Sequence, residues 1–200
     1  SPDGDLLAVS EGLLDYQHAV HVLDPTAPPD ILDEVRITPA WEFYAAGAWS
    51  PDGSRLVMSH IALGPGVWEG SIITTNPDGS GHTLLLPRAT HEWWPVPSPD
   101  GSRIAYVSDV NGDSDIYVMD ADGRHVVNLT RHPAWDGYPV WSPDGEEIAF
   151  RSSRAGDEAI YLLCADGTDL RRLTAGDTGS GSFSWVAAAA PTLPAPQAAN

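Results

Sequence analysis

One four-residue motif, Ser-Pro-Asp-Gly, occurs four times in this 200-residue chain. The copies begin at Ser1, Ser50, Ser98 and Ser142, so that the motif returns every 44 to 49 residues. A repeat of this length is typical of a β-propeller, in which each repeat supplies one blade of four short antiparallel strands. This periodicity is the strongest constraint that the sequence places on the fold.

The third and fourth repeats align without a gap. Within the third repeat, strand character is strongest at residues 103–108, 115–119, 126–130 and 138–142, where Ile, Val and Tyr are frequent. Clusters of Gly, Asp and Pro bound these segments, as expected for the strands of an antiparallel sheet. Helical periodicity is absent. The sequence therefore predicts an all-β fold, a β-propeller of four-stranded antiparallel blades with four repeats present.

The Ser-Pro-Asp-Gly motif has the composition of a tight hairpin turn. Proline fixes φ near −65°, aspartate can accept a hydrogen bond from a nearby backbone N–H, and glycine accepts a positive φ. A second Asp-Gly pair follows in three repeats, at Asp78, Asp122 and Asp166, and is predicted to join the third and fourth strands. In a propeller blade these two turns share one face, which leaves the longer loops on the opposite face.

We assign propeller repeats to residues 1–186, with units at 1–49, 50–97, 98–141 and 142–185, and an Ala/Pro-rich tail or linker to residues 187–200. Two arrangements of the units are open. They could close as a four-bladed ring if residues 183–186 supplied the inner strand that the first unit lacks. Alternatively, they form part of a larger propeller of six to eight blades, which is the interpretation we favour.

The chain carries 28 acidic and 10 basic residues, for a formal net charge of −18. Nucleic-acid binding and electrostatic attachment to an anionic membrane both need basic surface, so we expect neither. No apolar run approaches the roughly 18 residues of a membrane-spanning helix, and we predict no membrane insertion. The single cysteine, Cys164, excludes an internal disulfide.

Aromatic and acidic residues cluster just before the predicted innermost strands, on the face opposite the tight turns. Glu92 and Asp136 stand at equivalent positions, three residues before Pro95 and Pro139. We predict a concave acidic and aromatic surface that binds a partner peptide or a small cationic ligand. The alternative is that the aromatics wedge between blades while the acids solvate the rim. The candidate partner-binding residues are Trp41, Glu42, Tyr44, His91, Glu92, Trp93, Trp94, Trp135, Asp136 and Tyr138.

Three further tryptophans, Trp49, Trp141 and Trp185, stand directly before the Ser-Pro-Asp-Gly motif or where the next copy is due. A large apolar residue repeated on an inner strand is expected to pack between blades. We therefore assign these three residues to the core rather than to a ligand site.

The loop that carries Asp109, Asn111, Asp113 and Asp115 places oxygen ligands at alternate positions, as a calcium loop does. Ser114 stands where an EF-hand needs glycine, and no bidentate glutamate follows at the required distance, so we interpret the segment as a polar hairpin loop and keep calcium as a minor hypothesis. No other metal site, no cofactor motif and no G-x-S-x-G nucleophile motif is recognisable. We predict no catalytic residue in this chain.

The stretch from Trp141 to Thr174 resembles the β-propeller repeat of TolB and its relatives, a WD-like repeat that also occurs in propellers attached to prolyl-oligopeptidase-type hydrolases. The resemblance extends over about residues 1–185 and is strongest after Ser98. It departs from TolB in two respects, because neither a preceding small α/β domain nor six repeats are present in this sequence. The resemblance is specific for the repeat, whereas such blades serve several functions.

The resemblance implies a non-catalytic scaffold for protein–protein interaction that is periplasmic or otherwise exported in a bacterial cell envelope. We expect any targeting segment to lie outside this sequence. The rival implication is the gating propeller of a prolyl-oligopeptidase-like serine peptidase, whose catalytic serine, aspartate and histidine would lie in a separate domain beyond Asn200. A propeller enzyme such as a sugar lyase is a third option, and it would require a metal or basic cluster that the sequence does not display.

Overall fold

The computed structural model describes residues 1–13, 17–26, 35–38, 43–64, 67–86, 91–175 and 183–185. These ranges contain fifteen β-strands, and within them no helix is long and apolar enough to cross a membrane. The strands are β1 (Leu7–Leu13), β2 (Gln17–Leu23), β3 (Val35–Arg36), β4 (Phe43–Trp49), β5 (Leu56–Gly64), β6 (Val67–Thr75), β7 (Thr83–Leu84), β8 (Glu92–Pro97), β9 (Arg103–Ser108), β10 (Asp115–Asp120), β11 (Val127–Asn128), β12 (Asp136–Trp141), β13 (Glu147–Ser152), β14 (Ala159–Cys164) and β15 (Arg171–Arg172).

The strands form propeller blades. Blade 2 contains β4 to β7, blade 3 contains β8 to β11 and blade 4 contains β12 to β15, and in each blade neighbouring strands pair antiparallel. Blade 1 contributes β1, β2 and β3. A parallel pairing of His18 in β2 with Phe43 in β4 joins blades 1 and 2 into one seven-stranded sheet. The predicted all-β propeller fold is confirmed.

Each innermost strand belongs to the sequence unit before its own blade, so that β4 ends the first unit and opens blade 2. A ring of four blades would require residues 183–186 to pair with β1. Residues 183–185 are outside any strand, and the indole N–H of Trp185 donates to the carbonyl oxygen of Val140 in blade 4 over 3.4 Å. Among the described residues, β1 pairs with β2 alone.

The core lies between the blades, and the inner strands contribute both of their faces to it. In β9, Ile104 and Tyr106 pack in the cluster shared with blade 2, while Ala105 and Val107 pack in the cluster shared with blade 4. Successive side chains of a strand point to opposite faces. A strand covered on both faces therefore reads as a continuous apolar run, which is what residues 104–107 display.

Trp141 locks blade 4 onto blade 3. Its side chain is buried in the cluster between these blades, and its indole N–H donates to the carbonyl oxygen of Val96 over 2.9 Å. The guanidinium carbon of Arg103 lies 4.8 Å from the ring centre. Trp49 packs, half-buried, on the cluster between blades 1 and 2. The predicted packing role is confirmed for Trp49 and Trp141, whereas Trp185 is 38% exposed.

Each Ser-Pro-Asp-Gly turn is closed by its own side chains. In the third copy, Ser98 Oγ donates to Asp100 Oδ1 over 2.5 Å, and the N–H of Ser102 donates to the same oxygen over 3.0 Å. The serines of the second and fourth copies make the equivalent bond at 2.6 and 2.5 Å. These hydrogen bonds stabilise the ionised carboxylate and lower the pKa of Asp100 to about 2, with the bond from Ser98 as the largest cause.

Both turn series lie on one face of the propeller, as predicted. The N–H of Ala121 in the second turn of blade 3 donates to the carbonyl oxygen of Ser102 in the first turn over 2.9 Å, and the N–H of Ala165 donates to Glu146 over 2.8 Å in blade 4. We call this side the turn face. The opposite side, which carries the loops at 109–114, 129–135 and 153–158, is called the loop face.

Candidate functional site

Three innermost strands bulge at the same place, close to the loop face, and in β4 the register on β5 shifts between Ala45 and Ala48. The register of β8 on β9 shifts between Trp93 and Val96, and that of β12 on β13 shifts between Gly137 and Val140. Trp94 and Tyr138 occupy the bulges of β8 and β12 with φ of 53° and 55°. The left-handed region is uncommon for bulky residues and costs about 1–3 kcal/mol when the surrounding structure enforces it. The fold therefore holds two equivalent aromatic residues in a strained, fixed conformation.

The bulges of β8 and β12 bring four aromatic side chains together, and we call Trp93, Trp94, Trp135 and Tyr138 the aromatic cluster. The rings of Trp94 and Tyr138 stack with their centres 4.0 Å apart across the boundary between blades 3 and 4. Trp135 meets both edge-on at 6.4 and 5.7 Å, and Trp93 meets Trp94 edge-on at 6.2 Å. Tyr138 is 40% exposed and the three tryptophans are half-buried. The cluster is thus a packed aromatic surface with one exposed ring.

The aromatic cluster also contributes to packing between the blades. Trp93 and Trp94 pack on the apolar core between blades 3 and 4. The guanidinium carbon of Arg151, a buried residue of β13, lies 5.5 Å from the centre of the Tyr138 ring. The same side chains therefore have a structural role on one side and an accessible surface on the other.

The two acids of the predicted surface are buried. Glu92 is 5% exposed and Asp136 is 0% exposed, and they pair in register with Ser108 and Ser152 at the ends of the adjacent strands. The expectation that these carboxylates lie at the rim or line an acidic surface is wrong in this respect, because the surrounding protein encloses both side chains. Their equivalence along the repeat, in contrast, is confirmed.

Asp136 forms a buried ion pair beneath the aromatic cluster. Its Oδ2 lies 2.8 Å from Arg154 Nη2, and the Arg154 side chain is only 9% exposed. Arg154 is held in turn by Ser152 Oγ, which accepts its Nε–H over 2.9 Å, and by the rings of Phe150 and Tyr161 at 5.2 and 5.0 Å. The other oxygen, Asp136 Oδ1, is buried without a hydrogen-bond partner among the described residues. Arg154 was not among the residues predicted from the sequence, and only the hairpin register could have identified it.

His91, another predicted residue, stands at the edge of the aromatic cluster. Its ring centre lies 5.7 Å from that of Trp93, and its Nδ1 lies 2.9 Å from Asp109 Oδ2. The backbone N–H of His91 donates to the other oxygen of Asp109 over 3.2 Å. Asp109 therefore ties the loop of blade 3 to the start of its innermost strand.

The remaining residues of the calcium hypothesis make separate contacts. The buried carboxylate of Asp115 accepts hydrogen bonds from Asn128 Nδ2, Thr130 Oγ1 and the N–H of His132 at 2.7, 3.0 and 3.1 Å. Asn111 Nδ2 donates to the hydroxyl of Tyr117 over 2.7 Å, and Asp113 is exposed. Within the described ranges, no three His, Cys, Asp or Glu side chains converge as they would to hold a metal ion.

Three of the predicted partner-binding residues, Trp41, Glu42 and Tyr44, precede or lie in β4, the innermost strand of blade 2. Trp41 and Glu42 lie outside the described residues, as does the side chain of Tyr44. The backbone of Tyr44 lies in β4 opposite His60. Glu92 lies opposite Ser108 in the same way, so Tyr44 and Glu92 occupy equivalent positions in their blades. The site that the structure describes is therefore formed by blades 3 and 4.

Comparison with known proteins now identifies the family. A model of the TolB beta propeller domain matches residues 89–190, which is half of the chain and begins next to the innermost strand of blade 3. The chain belongs to the TolB beta-propeller family. The Tol-Pal system protein TolB of Anaeromyxobacter dehalogenans strain 2CP-C is 41% identical over 90 residues, which cover 44% of this chain and 19% of that protein. The chain thus matches about a fifth of the length of this relative.

Solved structures share the propeller. A protein assigned as TolB from Agrobacterium tumefaciens superimposes with a TM-score of 0.69 and 26% identity, covering 86% of this chain and 62% of that one. A puromycin-hydrolyzing peptidase of Mycobacterium tuberculosis superimposes with a TM-score of 0.62 and 20% identity, covering 86% of this chain and 31% of the peptidase. At that identity the second likeness concerns the fold alone.

Proposed function

We propose that this TolB-family propeller is a non-catalytic scaffold for protein–protein interaction in a bacterial cell envelope, and that the aromatic cluster contacts the partner. The observation that carries the proposal is the exposed ring of Tyr138, stacked on Trp94 at 4.0 Å and held at a positive φ by a bulge. Strained residues are retained where the surrounding structure enforces them, often at binding sites. A ring that is already fixed loses little conformational entropy on binding.

The chemistry of the surface suits a protein or peptide partner. Tyrosine and tryptophan are enriched among the residues that dominate binding energy at interfaces, because they bury large apolar areas and retain a polar group. Asp136, which follows Trp135, is held by its buried ion pair with Arg154, and the N–H of Ser153 donates to the carbonyl oxygen of Trp135 over 3.1 Å. Glu92 and Asp136 would then act by supporting the aromatic rings rather than by touching the partner.

The relatives support the location and the class of partner. A protein of the Tol-Pal system is 41% identical to part of this chain, and TolB-type propellers are expected in the periplasm. We therefore expect an envelope lipoprotein or another exported protein as the partner. The high negative charge of the chain agrees with a partner other than nucleic acid.

The test is to immobilise the chain and to measure the binding of envelope lipoproteins from the source bacterium by surface plasmon resonance. We expect Tyr138→Ala to weaken binding at least tenfold, since interface residues of this kind contribute about 2 kcal/mol or more. Val110→Ala is the matched control, because Val110 is an exposed apolar residue in a loop of the same face. Equal affinity of the Tyr138→Ala protein would contradict the role of the aromatic cluster.

The alternative function is the gating propeller of a prolyl-oligopeptidase-like serine peptidase, since the same propeller fold also occurs in a peptidase. In that case the isolated propeller would bind no specific partner, and a hydrolase domain would be encoded beside it. Sequencing the flanking DNA distinguishes the two functions. A downstream G-x-S-x-G domain would establish the peptidase, whereas a signal peptide with a small α/β domain and further blades would establish the scaffold.

A further inference from the structure

One of the inter-blade tryptophan positions is occupied by proline. Trp49 ends β4 and Trp141 ends β12, whereas Pro97 ends β8. The register shows that the three residues are equivalent, because they pair with Leu56, Ile148 and Ile104, the first or second residues of the adjoining strands. The boundary between blades 2 and 3 therefore lacks the indole ring that fills the corresponding boundary between blades 3 and 4.

The surroundings of Trp141 define what this position holds when it is filled. The indole N–H is bonded to Val96, and Arg103 covers the ring. The guanidinium of Arg103 is fixed by hydrogen bonds to the carbonyl oxygens of Gly145 and Ala165, at 3.2 and 3.4 Å. An apolar slot, a carbonyl acceptor and a covering guanidinium thus form a complete indole site within the fold.

The same space between blades 2 and 3 is a cavity of about 480 Å³ that opens at the turn face. Its walls repeat those around Trp141, with Arg55 in place of Arg103, Ile104 in place of Ile148 and Ala121 in place of Ala165. Pro97 lies in the wall from which the ring would project. The volume falls within the range of roughly 300–1,000 Å³ that is usual for small-molecule sites.

The covering arginine is also present. Arg55 is exposed at the cavity, where its Nη1–H donates to Thr74 Oγ1 over 3.2 Å. Val57 and Ile104 supply buried apolar walls on the two sides. Ala48 has the register of Val96, since it pairs with Val57 as Val96 pairs with Ala105. By register, the arginine, the apolar walls and the carbonyl acceptor around the Trp141 ring each have an equivalent at this boundary, with Arg55 bonded to Thr74 where Arg103 is bonded to Gly145 and Ala165.

We propose that this cavity binds a planar aromatic ring of the indole class, seated as Trp141 is seated between blades 3 and 4. The ring lies against Val57 and Ile104, its face is covered by Arg55 through a cation–π contact, and its N–H donates to the carbonyl oxygen of Ala48. Ligand sites commonly combine apolar walls with a few polar groups, and Ser50, Asp52 and Asp100 line this cavity beside its apolar walls. The site lies on the turn face and does not depend on the function proposed for the aromatic cluster.

The test is a ¹⁵N–¹H NMR titration of the full chain with two probes, free indole and N-acetyl-tryptophanamide. We expect saturable shifts at the amides of Arg55, Val57, Ile104 and Ala121. Binding of both probes supports a tryptophan side chain as the natural source of the ring, and binding of indole alone supports a free small molecule. Absence of saturable shifts with either probe would overturn the proposal.

Two variants make the assignment specific. Pro97→Trp fills the cavity with the residue found at the equivalent positions, so it should abolish indole binding and raise the melting temperature.

Arg55→Ala should weaken indole binding roughly three- to thirty-fold through loss of the cation–π contact. Arg124→Ala, at an exposed arginine of the same face, is the control and should leave indole binding unchanged. Undiminished binding by folded Pro97→Trp protein, or by Arg55→Ala protein if the former does not fold, would refute the site.

Discussion

At the scale of single residues, the turn motif and the buried ion pair have different physical roles. Asp100 is an exposed carboxylate that organises its own turn through Ser98 and Ser102. Asp136 is a buried carboxylate whose charge is balanced by Arg154. The first contribution depends on pH, whereas the second depends on packing within blade 4, where Arg154 lies against the rings of Phe150 and Tyr161.

The pKa of Asp100 should report the closure of the turn. Its folded value of about 2 lies below the ordinary value of 3.8, so the associated stabilisation is present above pH 3.8 and is lost as the pH falls toward 2. We expect Ser98→Ala to raise this pKa toward 3.8, because it removes the largest cause of the shift. A carboxyl ¹³C NMR titration measures it, with Ser142→Ala as the control in the next blade. An unchanged pKa in Ser98→Ala would contradict the assignment.

Removing the partner of Asp136 should be strongly destabilising. Arg154→Met leaves a buried carboxylate without its charge partner, which costs about 3–5 kcal/mol of unfolding free energy. Urea unfolding measures the loss. Arg124→Met is the matched control, since the pair of Arg124 with Asp122 is exposed at both side chains, and it should change stability by less than about 1 kcal/mol. Equal effects of the two substitutions would show that the buried pair has no special role.

At the scale of elements, the strands could be predicted closely from the sequence, and the bulges could not. The predicted segment 103–108 coincides with β9. A short run that contains Ile, Tyr and Val and is bounded by turn motifs is typical of a strand. The amino-acid sequence of residues 92–97 does not indicate that the register of β8 on β9 shifts between Trp93 and Val96. A bulge depends on how two strands pair, and it decides where Trp94 points.

Trp141 provides the test at this scale. Trp141→Phe keeps most of the buried ring but removes the N–H that is bonded to Val96, so we expect a loss of about 1–3 kcal/mol in unfolding free energy. Trp185→Phe is the control, because Trp185 is 38% exposed and its bond to Val140 is longer, at 3.4 Å. Urea unfolding of both variants gives the comparison. A loss in Trp185→Phe as large as in Trp141→Phe would contradict the inter-blade role.

At the scale of the whole molecule, the repeat separates a turn face from a loop face, and this division followed from the sequence alone. The loop-face position of His91, Trp93, Trp135 and Tyr138 was likewise predictable from their place before the inner strands. The burial of Glu92 and Asp136 was not, because it depends on side chains such as Arg154 that arrive from the next hairpin. Pro97 was not singled out from the sequence, because its significance depends on the cavity that the structure places beside it.

The central claim is that the aromatic cluster on the loop face contacts the partner protein. Hydrogen–deuterium exchange of the chain, with and without the envelope lipoprotein that binds it, tests this claim most directly. We predict new protection in residues 91–95 and 135–139, around the aromatic cluster, with little change in the turns at 98–101 and 142–145. Protection confined to those turns, with none around Trp94 and Tyr138, would contradict the account.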